Sequence, residues 1–388
     1  MIEEFRQRFG SAEGLRVFRA PGRVNLIDEH TDYNLGLVLP MAIERATFVG
    51  RTPARDRKLR IYSEARREVR EWEVASIGET PPSRTWTDYV IGVARELLDL
   101  GYAIESANLF LRSTVPEGAG LSSSAALEVS CALALLNGKA LPKAQLAQLC
   151  RRAEMGYVGV PCGIMDQFVA VFGKPHRAIE LDCRSLDHRL VTLPAHARLV
   201  AVNSMIKHDL AASAYRQRVA ECAAAVEGIQ RRFPHVESLR DVTLEQLAAV
   251  EASLDRVIAG RARHVISENL RVRRFAAACE HHELTGMGRM LVESHRSLQH
   301  DYEVSSEELD YLVDTACAIN GVYGARMMGG GFGGCVLVLV TEQTAESFAG
   351  EIAEAYEQRF GMHPEIYTCE AAGGAEEVNN FETIPKLA

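Results

Sequence analysis

The sequence predicts an α+β protein of two domains, on three observations: its length, a strand-rich first third that gives way to helices, and a second strand-then-helix segment opening near residue 199. At 388 residues the chain exceeds one typical core, which holds about 100–200 residues. Short β-type runs bounded by turns fall at 15–20, 46–51, 59–62 and 107–113 and read as strands of one sheet. Helical stretches follow at 86–98, 123–136 and 143–154, so this half mixes strands and helices in an α+β manner.

The strand at 199–203 opens the second unit. In the helix after it, Val219, Cys222, Ala223, Val226 and Ile229 recur at helical spacing, an apolar stripe that needs a core to face. Helical patterns continue at 244–250, 266–279, 286–297 and 307–318, followed by a glycine cluster and a strand at 335–340. No repeat, low-complexity segment or Gly/Ser linker separates the halves, which places the boundary near residue 195 and the domains at 1–195 and 196–388. Closely packed halves of this kind predict a ligand cleft between them. From about Gly373 the residues are small and polar and predict a loosely held tail.

Apolar residues make up 47% of the chain and charged ones 24%, the mix of a folded globular protein. A net charge of −9, with no Lys/Arg run, argues against nucleic acid as a partner. The longest apolar runs, such as 336–340, fall far short of the roughly 20 residues of a membrane span. The opening MIEEFRQRFG carries acids and no apolar stretch, unlike a signal peptide, so a cytoplasmic location is expected. Nine scattered cysteines without C-x-x-C spacing read mostly as reduced core thiols, and no histidine pair has the spacing of a zinc site.

Residues 116–126 read PEGAGLSSSAA and run straight into a helix-forming stretch. Gly118 and Gly120 let backbone approach an anion, and the helix start aims free N–H groups at it, so the segment from Gly118 through Leu121 to Ser122, Ser123 and Ser124 reads as a phosphate cradle. One of the serine hydroxyls could ligate Mg²⁺. The alternative is a turn with an ordinary serine cap. No Lys follows the glycines and no H-R-D segment is present, which sets aside the Walker A and protein-kinase patterns. The glycine cluster 329–334 runs into a strand rather than a helix, against the dinucleotide fingerprint, and is expected to close over a nucleotide or substrate.

The segment RAPGRVNLIDEHTDYN packs Arg23, Asp28, Glu29, His30 and Asp32 between apolar anchors. Sugar hydroxyls both donate and accept, so carboxylates and an imidazole on a stiff turn suit them; the alternative is a solvated acidic loop. In PCGIMDQF, Asp166 sits among apolar neighbours and suits the role of accepting a hydroxyl proton, or equally that of a helix cap. Glu154, flanked by Arg151 and Arg152, reads in isolation as a salt-bridged surface acid.

In this order these segments, with LDCRSL at 181–186 and GARMMGGGFGGC at 324–335, resemble the GHMP family of small-molecule kinases, and within it the galactokinases, over nearly the whole chain. The resemblance implies a ribosomal-S5-like N-terminal domain, a ferredoxin-like C-terminal domain, and transfer of the ATP γ-phosphate to O1 of galactose with Mg²⁺. It makes Asp166 the acceptor of the anomeric hydroxyl proton with Arg23 beside it, Ser124 and Glu154 the Mg²⁺ ligands, and Glu29, His30, Asp32, Gly163 and Tyr215 the sugar-binding positions. Trp86 falls where the family has an aromatic near adenine, with a core Trp as the other reading. Sugar and ATP are then the partners, and a monomer or weak homo-oligomer is expected. The chain departs from the family pattern at Asp28, usually Gly, and at Met328, usually a small polar residue. A second acid beside Glu29 is expected to bear on how the sugar's far hydroxyls are held, which keeps a related sugar 1-kinase (for N-acetylgalactosamine or arabinose) as an alternative. A sugar-and-ATP sensor without turnover is a further one.

Overall fold

In the computed structural model, which describes residues 1–207, 211–381 and 384–385, three sheets organise the chain. The first has six strands in the order Glu376–Val378, Arg16–Asn25, Pro40–Pro53, Ala107–Ser113, Lys58–Ser63 and Glu68–Glu73. All neighbours are antiparallel except Lys58–Ser63, which runs parallel to Ala107–Ser113. Leu59 and Ile61 point into the core and Arg60 and Tyr62 lie less buried, the period-two pattern of a one-sided strand. Helices Thr87–Asp99, Ser123–Leu136, Lys143–Arg152 and Met165–Phe172 share a core with this sheet through residues such as Val49, Leu109, Val129, Leu149 and Val169. Helix Ser123–Leu136 is apolar or small on nearly all sides and is accordingly buried along most of its length.

The second sheet is antiparallel throughout, in the order Val322–Met328, Gly333–Thr341, Ala197–Lys207 and Glu365–Cys369. The unbroken apolar run 335–340 has a physical reason: Val336, Val338 and Val340 face the core of the second half, and Cys335, Leu337 and Leu339 face another core on the opposite side. That other core also takes in Val24, Leu26, Ile27, Met41 and Leu121, so the sheet's second face is buried against the first half of the chain. A small third sheet pairs Leu37–Val38, Arg177–Asp182 and His188–Thr192.

Two expectations are corrected. The helix expected over 143–154 stops at Arg152 and continues as a π-helical turn, Ala153–Val158, ended by Gly159 at φ +80°. The tail after Gly373 is not loosely held over its described part. Glu376–Val378 pairs with Arg16–Asn25, and Ile384 is buried against Val17, Ala46 and Phe48; residues 382–383 and 386–388 lie outside the described residues. All nine cysteines are unpaired, and seven are buried. Among the described residues no helix is long and apolar enough to cross a membrane.

Candidate active site

The strand Arg16–Asn25 shifts register against Pro40–Pro53 between Pro21 and Arg23. Gly22 sits at the irregularity, where a Cβ would lie 2.6 Å from the Leu121 carbonyl oxygen, so only glycine fits. Such an irregularity re-aims the next side chain. The Arg23 backbone N–H donates to the Leu121 carbonyl at 3.1 Å, and Nη1 donates to the Gly120 carbonyl. Nε and Nη2 donate to Oδ1 and Oδ2 of Asp166 at 2.9 and 3.0 Å. Burial works against the Arg23 charge, but Asp166 and Glu29 together outweigh it and hold the guanidinium as a cation.

Asp166 lies in the first turn of helix Met165–Phe172, whose cap position is Ile164, so the helix-cap reading of Asp166 gives way. Its Oδ2 also accepts from the Ser122 hydroxyl. Ser122 stands at the cap position of helix Ser123–Leu136 in the left-handed region, φ +58°, yet makes no capping bond. The ordinary serine cap therefore gives way too: the hydroxyl serves Asp166 instead.

Arg23 and Asp166 open onto a cavity of about 390 Å³ whose wall includes Glu29, His30, Asp32 and Tyr215. The turn that carries the acids is held from inside. The Thr31 hydroxyl lies 2.8 Å from the carbonyl oxygens of both Asp28 and Leu37, and Asn34 Nδ2 donates to the His30 carbonyl at 2.8 Å. Glu29 is 4% exposed, far from a solvated loop. Its Oε1 lies 3.0 Å from Nη2 of the fully buried Arg326 and accepts the Gly329 N–H at 2.7 Å, while Oε2 accepts from Asn25 Nδ2 at 2.9 Å. Burial raises its carboxyl, and Arg326 and Arg23 pull it back.

Asp32 is pushed up to about 6 by burial, with Asp166 and Glu29 adding to the rise. A Cβ on Gly163 would lie 1.7 Å from Asp32 Oδ2, so the absence of a side chain at 163 is what admits that carboxylate. The imidazole of His30 is pushed down to about 3 by burial and by the nearby His264, and is neutral at physiological pH. Gly329, Gly330 and Gly331 form the facing wall, and a Cβ on Gly120 would lie 3.7 Å from the Met328 carbonyl oxygen. The two glycine-rich segments thus meet beside the cavity, at Gly120 and Gly329.

Asp28 takes φ +148°, a conformation that strains any residue but glycine. Its carboxyl turns away from the cavity: Oδ2 accepts the Leu39 N–H at 2.6 Å, and Oδ1 accepts from Asn25 Nδ2. Burial first, and then Glu29, push it well above the usual carboxylate range, toward the neutral form. The expectation that it adds a charge among the cavity acids is corrected accordingly. Met328 Sδ lies 3.2 Å from the Asn25 backbone nitrogen, so both departures from the family pattern end on the same residue.

A second cavity, of about 280 Å³, is lined by Trp86, Tyr89, Gly118, Ser123 and Ser124. Trp86 is half-buried, and its Nε1–H donates to Glu68 Oε1 at 2.6 Å, fixing the indole against the wall. Leu121 lines neither cavity with its side chain, which is buried.

Glu154, in the π-helical turn, is 5% exposed and lines the first cavity, and Arg152 pairs with Glu96 at 2.7 Å instead, so the surface-acid reading fails. Gln167 Nε2 donates to Glu154 at 2.6 Å and to Glu128 at 3.0 Å. Burial raises both carboxyls, Glu128 well above its ordinary range; Asp166 adds to the rise at Glu154, and the Ser124 hydroxyl opposes it. Glu128 Oε1 is buried without a hydrogen bond.

Sequence reasoning missed Arg326, Asn25, Glu128 and Gln167. Arg326 carried a signal: it is the one charge in VYGARMM, with the apolar Ala325 and Met327 on either side of it. The others look like ordinary polar residues of a strand or helix and gave none.

Residues 3–52 match the galactokinase galactose-binding signature, 88–174 the GHMP kinase N-terminal domain, and 275–358 the GHMP kinase C-terminal domain. The chain is 44% identical over 381 residues to a galactokinase of Roseiflexus sp. (strain RS-1), covering 97% of each, and 42% identical over 372 residues to one of Chloroflexus aurantiacus, covering 95% of each. The crystal structure of Lactococcus lactis galactokinase complexed with galactose superposes with a TM-score of 0.92 at 35% identity, over 97% of this chain and 98% of that one. A mevalonate kinase, at 17% identity and a TM-score of 0.67, shares the fold over 91% of this chain and 98% of its own. With relatives this similar over 95–97% of its length, the chain belongs to the galactokinase family of GHMP kinases.

Proposed function

We propose that the first cavity receives galactose and the second the nucleotide, so that this chain, as a galactokinase, transfers the γ-phosphate of ATP to O1 of galactose and yields galactose 1-phosphate and ADP. The observation that carries the reading is the Asp166 carboxylate, held on both oxygens by Arg23 and open to the first cavity opposite the glycines 329–331 and beside the acidic turn. Asp166 accepts the proton of the O1 hydroxyl as O1 bonds to the γ-phosphorus and the bond to the bridging oxygen of ADP breaks. Arg23 holds Asp166 in line and offsets negative charge beside it. Positioning and electrostatics of this kind supply most of a phosphoryl transfer.

Glu29, His30, Asp32, Gly163 and Tyr215 are assigned to the sugar. Gly118, Gly120, Leu121, Ser122 and Ser123 are assigned to the phosphates, with Gly120 and Leu121 acting through backbone, and Trp86 to the adenine. Mg²⁺ fits the remaining groups: Ser124 and Glu154 offer hard oxygen donors, and the buried, cation-poor pair of Glu154 and Glu128, with Glu128 Oε1 unbonded, is an environment that favours a divalent ion. When bound, such an ion neutralises charge on the phosphates. We further propose two domains meeting near residue 195, with the strand Glu376–Val378 returned to the first, and a cytoplasmic monomer or weak homo-oligomer; the nine unpaired cysteines support a reducing compartment.

ADP release measured across galactose, glucose, N-acetylgalactosamine and arabinose tests the reading. Turnover is expected with galactose. Silence with galactose and turnover with another of the four would overturn the substrate assignment.

A further inference from the structure

Behind His30 runs a chain of hydroxyls that the proposed chemistry does not use. His30 Nδ1 lies 2.9 Å from the Tyr33 hydroxyl, which lies 2.6 Å from the Tyr302 hydroxyl, which lies 3.1 Å from Cys222 Sγ. Asn34 Nδ2 donates to that sulfur at 3.6 Å. The Tyr302 ring is clamped between the imidazoles of His30 and His264, with both centroids 4.6 Å away. His264 in turn is fixed by Ser297 at 2.9 Å and by the Glu29 carbonyl at 3.0 Å. His30 Nε2 is buried at the cavity wall without a hydrogen bond.

We infer that Tyr33 and Tyr302 are positioning residues that fix the tautomer of His30, so that Nε2 carries the ring proton and the cavity offers one sugar oxygen an N–H donor between carboxylate acceptors. The inference rests on the assignment of the first cavity to the sugar.

Each link holds one proton. Burial pushes both tyrosines and Cys222 up, so all three keep theirs, and His30 is a neutral ring with a single N–H. The chain therefore has two senses. In one, Cys222 donates to Tyr302, Tyr302 to Tyr33 and Tyr33 to Nδ1, which leaves the His30 proton on Nε2. In the other, Nδ1–H donates outward and the series ends with Tyr302 donating to the sulfur.

One contact selects the first sense. The sulfur already accepts the Asn34 amide, and a thiol is a weak acceptor for a second donor. Ionised Glu29 and Asp32 only accept, so a donor at His30 complements them. A sugar then has to present an oxygen lone pair to His30 and O–H groups to the acids.

The test uses the full chain labelled with ¹⁵N-histidine, read by NMR at neutral pH without sugar, with His30 assigned by its loss in His30→Gln. The expected result is a protonated Nε2 and a bare Nδ1 in the unsubstituted protein, with Tyr33→Phe abolishing that preference. In the same variant the KM for galactose is expected to rise about tenfold, with kcat and the KM for ATP within about twofold, the cost of one misdirected hydrogen bond. A bare Nε2 in the unsubstituted protein, or an unchanged tautomer in Tyr33→Phe, overturns the inference. If Tyr33→Phe does not fold, Tyr302→Phe is expected to scramble the tautomer in the same way, and its failure to do so is equally decisive. Because the tautomer is read without sugar, absence of galactose turnover would count against the proposed function and leave this result standing.

Discussion

Arg23 grips Asp166 with two parallel hydrogen bonds, 2.9 Å from Nε to Oδ1 and 3.0 Å from Nη2 to Oδ2, across 143 residues of chain. A bidentate pair fixes the plane as well as the place of a carboxylate. Asp166→Asn keeps the shape and one acceptor but removes the charge that, in the proposed function, takes a proton. We expect kcat to fall by about 10²- to 10⁴-fold, the usual contribution of a positioned general base. The KM values should shift far less than kcat, because the groups assigned to sugar and nucleotide stay in place. Steady-state ADP release measures both, and an unchanged kcat would remove Asp166 from the role of base.

Asp32 titrates at about 6 in the folded protein, against about 3.9 for a free aspartate. The folded state therefore holds a proton that the unfolded state has lost, between those two values. The stability this supplies is complete below about 3.9 and is lost as pH rises through about 6. Asp32→Asn should raise the melting temperature at pH 8 and leave it unchanged at pH 4. The ionised carboxylate is the better acceptor of sugar hydroxyls, so kcat/KM for galactose should rise as pH passes about 6, and the step should flatten in Asp32→Asn. A step of equal size in the variant would assign it to another group.

Much of this site was legible in the sequence, because its parts are local. The acids 28–32 share one turn, the 116–126 loop leads straight into its helix, and helix Ser123–Leu136 begins and ends where periodicity put it. Less legible was whatever depends on tertiary contact. Strand Glu68–Glu73 is an exposed edge with no apolar alternation to betray it. Glu154 looked solvated because its neighbours are arginines, and only the π-helical turn and the pairing of Arg152 with Glu96 show why it is buried. The pairing of Glu29 with Arg326 spans nearly 300 residues and leaves no local trace.

Asp28 tests that distinction between local pattern and three-dimensional placement. By pattern it adds an acid beside Glu29; in the fold its carboxyl binds the Leu39 N–H and Asn25. Asp28→Gly relieves the φ of +148° and removes a buried carboxyl without touching the cavity wall. The KM for galactose should change by no more than about threefold, under 1 kcal/mol, and the preference for galactose over glucose should be kept. A changed sugar preference in this variant would show that Asp28 acts on the substrate through Glu29.

Glu154→Gln is expected to move activity and stability in opposite directions. Burial, and after it Asp166, raise the Glu154 carboxyl, so the folded protein without a bound ion is better off with a neutral group there. Glutamine keeps the volume and an oxygen for Gln167 Nε2 while ending the repulsion with Glu128 and Asp166. The melting temperature of the metal-free protein should rise by about 1–3 °C, as a gain near 1 kcal/mol produces in a chain of this size. The assigned Mg²⁺ ligand is lost in the same change, so the Mg²⁺ concentration for half-maximal rate should increase about tenfold. A surface acid would move neither quantity, and a purely structural buried acid would move stability alone. Thermal melting in EDTA paired with a Mg²⁺ titration of the rate separates the three cases, and a Mg²⁺ requirement left unchanged would rule out Glu154 as a ligand.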